Sequence, residues 1–234
     1  VVDRHAQPAG EASGNAAGLF HGIVNAQDGL HARFNRAAAI EAQRVVTTAI
    51  TGHRVAGAAD GLLRLDMASD DAQAAASMQA VLAALGLPPD YVQALDASRA
   101  SAVCGLALRH AAWFYPGGGW VDPAGLCRAD LERAAPLAQF VGMADVQALR
   151  HADGTWQLLD ASGRVIDSAE TVVLANAGES LRLLGQPAWP VGPVRGQISI
   201  ADAARSGITL PRLPLSGAGY LLPGVGRRMV FGST

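Results

Sequence analysis

The hydrophobic pattern of this chain changes period along its length. Between residues 30 and about 49, apolar and alanine positions recur at intervals of three and four, with Arg33, Arg36 and Arg44 on other faces, which predicts an amphipathic helix. "GLLRLDM" (61–67) alternates apolar and polar positions and predicts a strand. Ser69, Asp70 and Asp71 then serve as capping residues for a helix that runs to about Leu85 and stops at "GLPPD". A turn-rich stretch, "PGGGWVDPAG", leads into a helix from about Pro123, where a proline in the first turn gives up no helical hydrogen bond. Near the start, residues 1–3 have the character of a strand end. "ASGNAAGLF" (12–20) predicts a further helix start, with Ser13 or Asn15 offering a side-chain oxygen to the exposed amides.

The second half keeps a two-residue rhythm. "VQAL", "TWQLLD" and "GRVIDS" read as short strands parted by Asp-Gly and Ser-Gly turns, an antiparallel meander that feeds a buried strand at 171–175 within "TVVLANAG". "GQISIAD", "GYLLP" and "RMVFGS" add strands near the end, and neither an internal repeat nor a low-complexity linker interrupts the pattern. Helical and strand signals alternating along the whole chain predict a mixed α/β fold of two domains woven together by crossing strands.

Composition narrows the setting. With 234 residues, half of them hydrophobic and 16% charged, the chain can bury about 70% of its unfolded surface in one large domain or two interleaved ones. A net charge of −2 gives no bulk attraction to nucleic acid or anionic lipid, so an RNA partner would have to be met by local arginines. Apart from histidine, every basic residue is arginine. Cys104 and Cys127 have neither metal-site spacing nor the number of a disulfide framework and read as buried free thiols. No apolar run reaches the ~18 residues of a membrane span and the first residues lack a signal-peptide pattern, so a cytoplasmic protein without a membrane partner is expected. His21, His53, His110 and His151 show no metal-ligand spacing and fall near predicted element edges, as structural or solvated residues; no metal site is expected.

Candidate chemistry begins at Asp3. In a dinucleotide-binding fold, an acid at the end of the second strand accepts hydrogen bonds from the ribose hydroxyls of the adenosine half, and Asp3 stands where the first apolar run breaks. A solvated turn residue is the plainer reading of one such acid. Its sequel carries it further: "GEASGN" brings small residues that admit a ligand to the backbone and amides that favour phosphate. Ala175, Asn176, Ala177 and Gly178 close an apolar run in small residues, which either presses backbone against a ligand or simply ends a core strand.

"DRHAQPAGEASGNAAG", "FYPGGGWVDPAGLCRADL", "VVLANAGES", "VGPVRGQIS" and "GYLLPGVGRRMVFGS" occur in the order, and roughly at the spacing, of the FAD-dependent D-amino-acid oxidase-like superfamily, which the chain resembles over nearly its whole length. "AQPAxxASGN" and "FYPxGGWVxPAxL" are most similar to its tRNA-modifying branch, the oxidase domain of the bifunctional MnmC enzymes, whereas the other segments are shared with glycine oxidase and its relatives. The resemblance implies an incomplete Rossmann-like FAD-binding domain at residues 1–50 and 124–194, interleaved with an antiparallel-sheet substrate domain at 51–123 and 195–234. It places Asp3 on the ribose, Ala12, Ser13, Gly14, Asn15 and Gly18 beside the pyrophosphate and flavin, the backbone of Val146 against the adenine, and Ala175, Asn176, Ala177 and Gly178 against the dinucleotide. "PVRGQ" resembles the strand that returns the chain to the substrate domain near the flavin ring. Arg195 is then either a positive charge at the flavin's electron-accepting end or an ordinary surface arginine. Tyr220 matches a position whose hydroxyl faces the substrate, or it packs in the core; Trp120 is a packing anchor or a base-stacking platform.

The activity implied is oxidation of a C–N bond, with hydride passing to FAD and water hydrolysing the resulting imine. In the MnmC branch the substrate is carboxymethylaminomethyl-(2-thio)uridine at the tRNA wobble position, in effect an N-substituted glycine. Its oxidation releases glyoxylate and leaves aminomethyl-(2-thio)uridine. A fused methyltransferase domain precedes the oxidase in that branch, and SAM belongs to that domain alone. Because the glycine-rich phosphate loop belongs before Val1 and the usual carboxylate-binding Arg beyond "FGS", the chain is expected to be trimmed at both ends. Three readings stay open: the tRNA-modifying flavoenzyme, an FAD oxidase of free glycine, sarcosine or D-amino acids, and a catalytically empty fragment that touches RNA through Arg33, Arg36, Arg44 and Arg54. Uptake of FAD, visible as a yellow protein, separates the first two from the third.

Overall fold

Small residues decide the first departure from the sequence pattern. In the computed structural model, which describes residues 1–67, 71–226 and 228–233, "ASGNAAGLF" makes one 3-10 turn at Ala12–Gly14 and then strand β1, Gly18–Phe20, instead of a helix. Glycines at 14 and 18 weaken the helical alternative, and β1 gains partners across the sheet: Leu19 opposes Trp120 and Phe20 opposes Gly119. Ser13 and Asn15 are exposed and cap no α-helix.

Helix α1, Leu30–His53, follows the helical period a turn beyond its expected end and closes on Arg54 in the left-handed conformation. It buries Val46 and Ala49 against Val55, Val121 and Ala129, while Leu30, Phe34 and Ile40 stay exposed. Gly52 lies in its last turn with nothing near the position a Cβ would take. Gly52→Ala is therefore expected to raise stability by about 0.5–1 kcal/mol, read as a higher denaturation midpoint, and a lower midpoint would contradict the open space seen there. Strands β2, Gly57–Ala58, and β3, Leu62–Leu65, precede α2, Asp71–Leu85; of the proposed capping residues, Ser69 and Asp70 lie outside the described residues. Then come β4, Gln93–Leu95; α3, Ala97–Cys104, whose first turn is capped by the Asp96 carboxylate accepting from Arg99 N at 2.7 Å; β5, Ala112–Tyr115; β6, Gly119–Val121; and α4, Pro123–Ala134, starting where the sequence placed it. The two thiols are free: Cys104 is buried, while Cys127 is only half-buried, on the partly exposed side of α4.

The expected meander forms from β7, Ala148–Ala152, β8, Thr155–Leu159, and β9, Val165–Ala169. His151 packs edge-on against Trp156 within it, with ring centroids 5.0 Å apart. Residues 171–175 are not a buried strand. They run extended without a sheet partner among the described residues, and Val173 is 83% exposed. Val172 and Leu174 point instead into an apolar hollow shared with Leu149, Trp156, Leu183 and Leu184, the last two from or just beyond the short helix α5, Glu179–Leu183. An apolar run becomes a buried strand only where a ladder receives its backbone polar groups, and none does here.

The chain ends with β10, Gln197–Asp202, α6, Ala203–Ser206, β11, Leu215–Ser216, β12, Tyr220–Leu221, and β13, Arg228–Ser233. These strands join the earlier ones in a seven-stranded sheet, ordered β10-β13-β12-β11-β3-β5-β4, beside a small sheet ordered β1-β6-β2. On one face Leu63, Leu95, Ala112 and Leu215 pack against Ala100 and Cys104 of α3; on the other, Leu62 and Tyr115 pack with Leu82 and Val92. The fold divides into two compact units, residues 1–13 with 130–195 and residues 14–129 with 196–234. Residues 14–50, grouped by the resemblance with the cofactor domain, pack in the second unit, because α1 finds its apolar partners at Val55, Val121 and Ala129. Among the described residues, no helix is long and apolar enough to cross a membrane.

Candidate cofactor and substrate site

In the unit of residues 1–13 and 130–195, the first residues run alongside 139–144. Asp3 N donates to Val141 O at 3.0 Å, Ala144 N to Asp3 O at 2.9 Å and Met143 N to His5 O at 3.1 Å. Asp3 Oδ1 accepts from His5 N at 2.8 Å, and its second oxygen has no partner among the described residues. The His5 ring meets Glu11 Oε1 at 2.8 Å, folding the "HAQPAGE" loop back on itself.

Arg4 and Arg182 fasten this loop to the other predicted segments. Arg4 reaches Asp145 at 3.6 Å and Glu179 at 3.5 Å. Arg182 donates to Gln147 O at 2.7 Å, to Val146 O at 3.2 Å and to Glu179 Oε2 at 2.8 Å. The hydrogen bond from Arg182, with a smaller contribution from Arg4, holds the Glu179 carboxyl below its usual range. Just before Glu179, Ala177 takes a left-handed conformation (φ 50°) and Ser180 Oγ donates to Asn176 Oδ1 at 2.6 Å, which fixes the exposed turn of Ala175, Asn176, Ala177 and Gly178.

The structure thus ties Asp3, Val146 and the 175–178 turn together. The fasteners Arg4, Glu179 and Arg182 escaped the sequence reading; their only trace there is a pair of charged residues beside each small-residue segment, "DR" and "ESLR". The arrangement fits the adenosine end of a dinucleotide: a carboxylate with a free oxygen beside exposed backbone lined by small residues. Ala12 and Ser13 are exposed in this unit, as is Arg195 at its end, ahead of β10. No side-chain hydrogen bond or ion pair joins Ser13 or Arg195 to these groups among the described residues.

In the unit of residues 14–129 and 196–234, Gly14 and Asn15 are exposed, and Gly18 opposes Val121 in the small sheet. Tyr220 packs against a cluster of Ala17, Trp120, Leu222 and Val230. Its ring lies across Gly232, its partner on β13, where a Cβ would stand 2.9 Å from the hydroxyl and 2.5 Å from Gln197 O; only glycine leaves Tyr220 that place. Burial pushes the Tyr220 hydroxyl pKa up. Trp120 is 9% exposed and serves as a packing anchor, not a base platform.

The same unit holds polar groups that sequence periodicity did not single out. His21 Nδ1 lies 2.6 Å from Gly22 O and its ring centroid 5.3 Å from that of Tyr115, so this histidine is structural rather than solvated. Burial lowers its pKa, with the Gly22 carbonyl working against the shift and the Arg64 charge adding to it. Tyr115 Oη is buried without a hydrogen-bond partner among the described residues, and desolvation raises its pKa well above the ordinary phenol value. Of the arginines that could face RNA, Arg36 is engaged by Asp28 at 2.9 and 3.1 Å and Arg44 by Glu41, which leaves Arg33 and Arg54 as exposed cations.

Comparison with known proteins gives the family and the fold. The pattern of the FAD dependent oxidoreductase family (DAO) matches residues 1–234. The tRNA 5-methylaminomethyl-2-thiouridine biosynthesis bifunctional protein MnmC of Methylibium petroleiphilum is 43% identical over 100% of this chain and 36% of its own length. The protein of the same name from Paraburkholderia phytofirmans is 35% identical over 95% of this chain and 33% of its own. The chain therefore spans about a third of the length of the curated relatives it matches. Among solved structures, glycine oxidase from Geobacillus kaustophilus superposes with a TM-score of 0.73 at 20% identity, covering 100% of this chain and 65% of that one. Iminodiacetate oxidase from Chelativorans sp. BNC1 follows at 0.69 and 21%, covering 99% and 64%. On its sequence and its fold, the chain belongs to the DAO family of FAD-dependent oxidoreductases.

Proposed function

We propose that this chain is the oxidase part of a tRNA-modifying protein, removing the carboxymethyl group of carboxymethylaminomethyl-(2-thio)uridine at the wobble position. The observation that carries this reading is identity of 43% over the whole chain to a protein named for 5-methylaminomethyl-2-thiouridine biosynthesis. FAD, when bound, supplies the hydride acceptor. In this reading Asp3 accepts from the ribose, the backbone at Val146 and at Ala175, Asn176, Ala177 and Gly178 borders the dinucleotide, and Ala12, Ser13, Gly14, Asn15 and Gly18 border its pyrophosphate and flavin. Arg195 supplies positive charge near the flavin, and Tyr220 orients the substrate. The domain division read from the sequence, 1–50 with 124–194 for cofactor and 51–123 with 195–234 for substrate, belongs to the same proposal.

The protein's own task is to hold one carboxylate, keep one amine neutral and set the carbon between them about 3–3.5 Å from the acceptor atom. Loss of hydride from that carbon and a proton from nitrogen leaves an imine. Water then splits it into glyoxylate and the aminomethyl nucleoside. A fused methyltransferase using SAM would act on that product.

The test is incubation of the full-length, FAD-loaded protein with tRNA carrying the carboxymethylaminomethyl group, followed by nucleoside analysis. Conversion to the aminomethyl nucleoside is expected. An unchanged nucleoside together with peroxide formed from glycine or sarcosine would establish the free amino-acid oxidase instead, and a colourless protein that takes up no FAD would leave only the RNA-contacting fragment. Tyr220→Phe should lower turnover about tenfold, the worth of one hydrogen bond to a charged substrate group; unchanged turnover would return Tyr220 to a packing role.

A further inference from the structure

Helix α1 keeps one side open along its whole length, and that side is basic. Steps of three, four and seven residues return to one face of a helix. Arg33, Ile40, Arg44, Thr51 and the capping residue Arg54 therefore follow a single stripe, and all five are exposed. At about 1.5 Å per residue, Arg33 and Arg54 stand roughly 32 Å apart, with Arg44 midway. Residues 28–54 carry four arginines against two acids, a local excess of positive charge on a chain whose net charge is −2.

Both of those acids are taken. Asp28 is held by Arg36 at 2.9 and 3.1 Å, and Glu41, the acid of the outward face, accepts from Arg44 Nε at 2.9 Å. Arg33 and Arg54 meet no carboxylate among the described residues. Beside Arg33 the same face shows apolar surface: Leu30 is 81% and Phe34 75% exposed, one turn apart.

Two free cations this far apart cannot close on one small anion; they suit a ligand whose charges recur along a chain. An exposed ring one residue from a free guanidinium suits the flat face of a nucleobase, which stacks on either. A protein partner would need apolar anchors repeating along the helix, whereas here they stop at Ile40 and give way to Arg44, Thr47, Thr48 and Thr51.

We propose that this outward face of α1 is an RNA-docking surface, on which Arg33 and Arg54 contact phosphates and Phe34 stacks against an unpaired base. That the RNA is a tRNA rests on the oxidase reading above. The surface meets backbone charge and base faces, so it holds RNA without selecting sequence.

Binding of an unmodified tRNA transcript to the full-length, FAD-loaded protein, followed by fluorescence anisotropy between about 50 and 200 mM salt, tests it. Wild type should bind less tightly as salt rises. Replacing Arg33 and Arg54 together by Ala should weaken binding at least tenfold at the lower salt. It should also flatten the slope of log affinity on log salt by about 1.5, the counterion release of two phosphate contacts, and Lys at both positions should restore most of that slope. Phe34→Ala should cost about tenfold with the slope unchanged, and Phe34→Tyr should bind like wild type. Arg99→Ala with Arg109→Ala removes equal charge from exposed positions outside α1 and should leave binding within about twofold. Because every replaced side chain is exposed, denaturation midpoints should not move. Wild type that binds no tRNA, a double variant with unchanged affinity and slope, or an equal loss in the Arg99 and Arg109 control would overturn the proposal. So would a Phe34→Ala protein that keeps its RNA and instead changes its mass in solution, which would make the face a contact between copies.

Turnover separates this surface from the site of oxidation. With the modified tRNA, the Arg33 and Arg54 double variant should show a KM at least tenfold higher and an unchanged kcat; with the free carboxymethylaminomethyluridine nucleoside it should match wild type. If wild type oxidises neither substrate, the oxidase reading fails, while the salt titration still decides the RNA surface.

Discussion

Leu62→Ala is expected to destabilise the unit of residues 14–129 and 196–234 by about 2–5 kcal/mol, seen as a lower denaturation midpoint with an unchanged slope. Leu62 is 0% exposed and sits where three pieces of chain converge on the sheet: Leu82 of α2, Val92 in the turn before β4, and Tyr115 of β5 directly across the ladder. Truncation removes apolar contact on all three sides. Sheet backbone and helix cannot close the gap together, so a cavity term adds to the transfer term. Leu137→Ala is the control, since Leu137 is 95% exposed and its truncation should stay within about 0.5 kcal/mol. A small effect at Leu62, comparable to that at Leu137, would mean that α2 does not pack on the sheet as described.

The same residues show how much of the fold was legible beforehand. The period-two pattern of "GLLRLDM" gave the strand and its two faces, and the period of three and four gave α1 and the extent of α2 to Leu85. What it could not give was company. "TVVLANAG" has the composition of a buried strand and "ASGNAAGLF" that of a helix start, yet the first lacks a ladder to join and the second is captured by β6. Burial and pairing are long-range outcomes, and local pattern only proposes them. The candidate site divides along the same line. Asp3, Val146 and the 175–178 turn, proposed here as cofactor contacts, were named from the motif order shared with the family the chain resembles. Arg4 and Arg182 were not, because an arginine's meaning depends on what lies opposite it: Arg182 meets carbonyls, Arg36 meets Asp28, and Arg33 meets no acid among the described residues.

Gly142→Ala should reduce FAD affinity of the full-length protein about a hundredfold while leaving the unit around Leu62 intact. A Cβ at residue 142 would stand 2.7 Å from His5 O and 2.8 Å from Ala6 O, both backbone atoms that no side-chain rotation can move aside. The loop after Asp3 must therefore lift away from 141–144. That strains the bonds from Met143 N to His5 O and from Ala144 N to Asp3 O, about 1 kcal/mol each, and turns the Asp3 carboxylate from its place beside His5 N. Displacing the Asp3 carboxylate costs the hydrogen bonds it is proposed to accept from the ribose, about 1.5–3 kcal/mol for a bond to a charged group, which corresponds to roughly that fall in affinity. Flavin absorbance after dialysis measures it, and near-normal denaturation of the second unit separates loss of the ribose acid from general unfolding. Gly142→Ala protein that keeps its flavin as tightly as wild type would take Asp3 out of the cofactor site, because the substitution cannot be accommodated without displacing the loop that holds it.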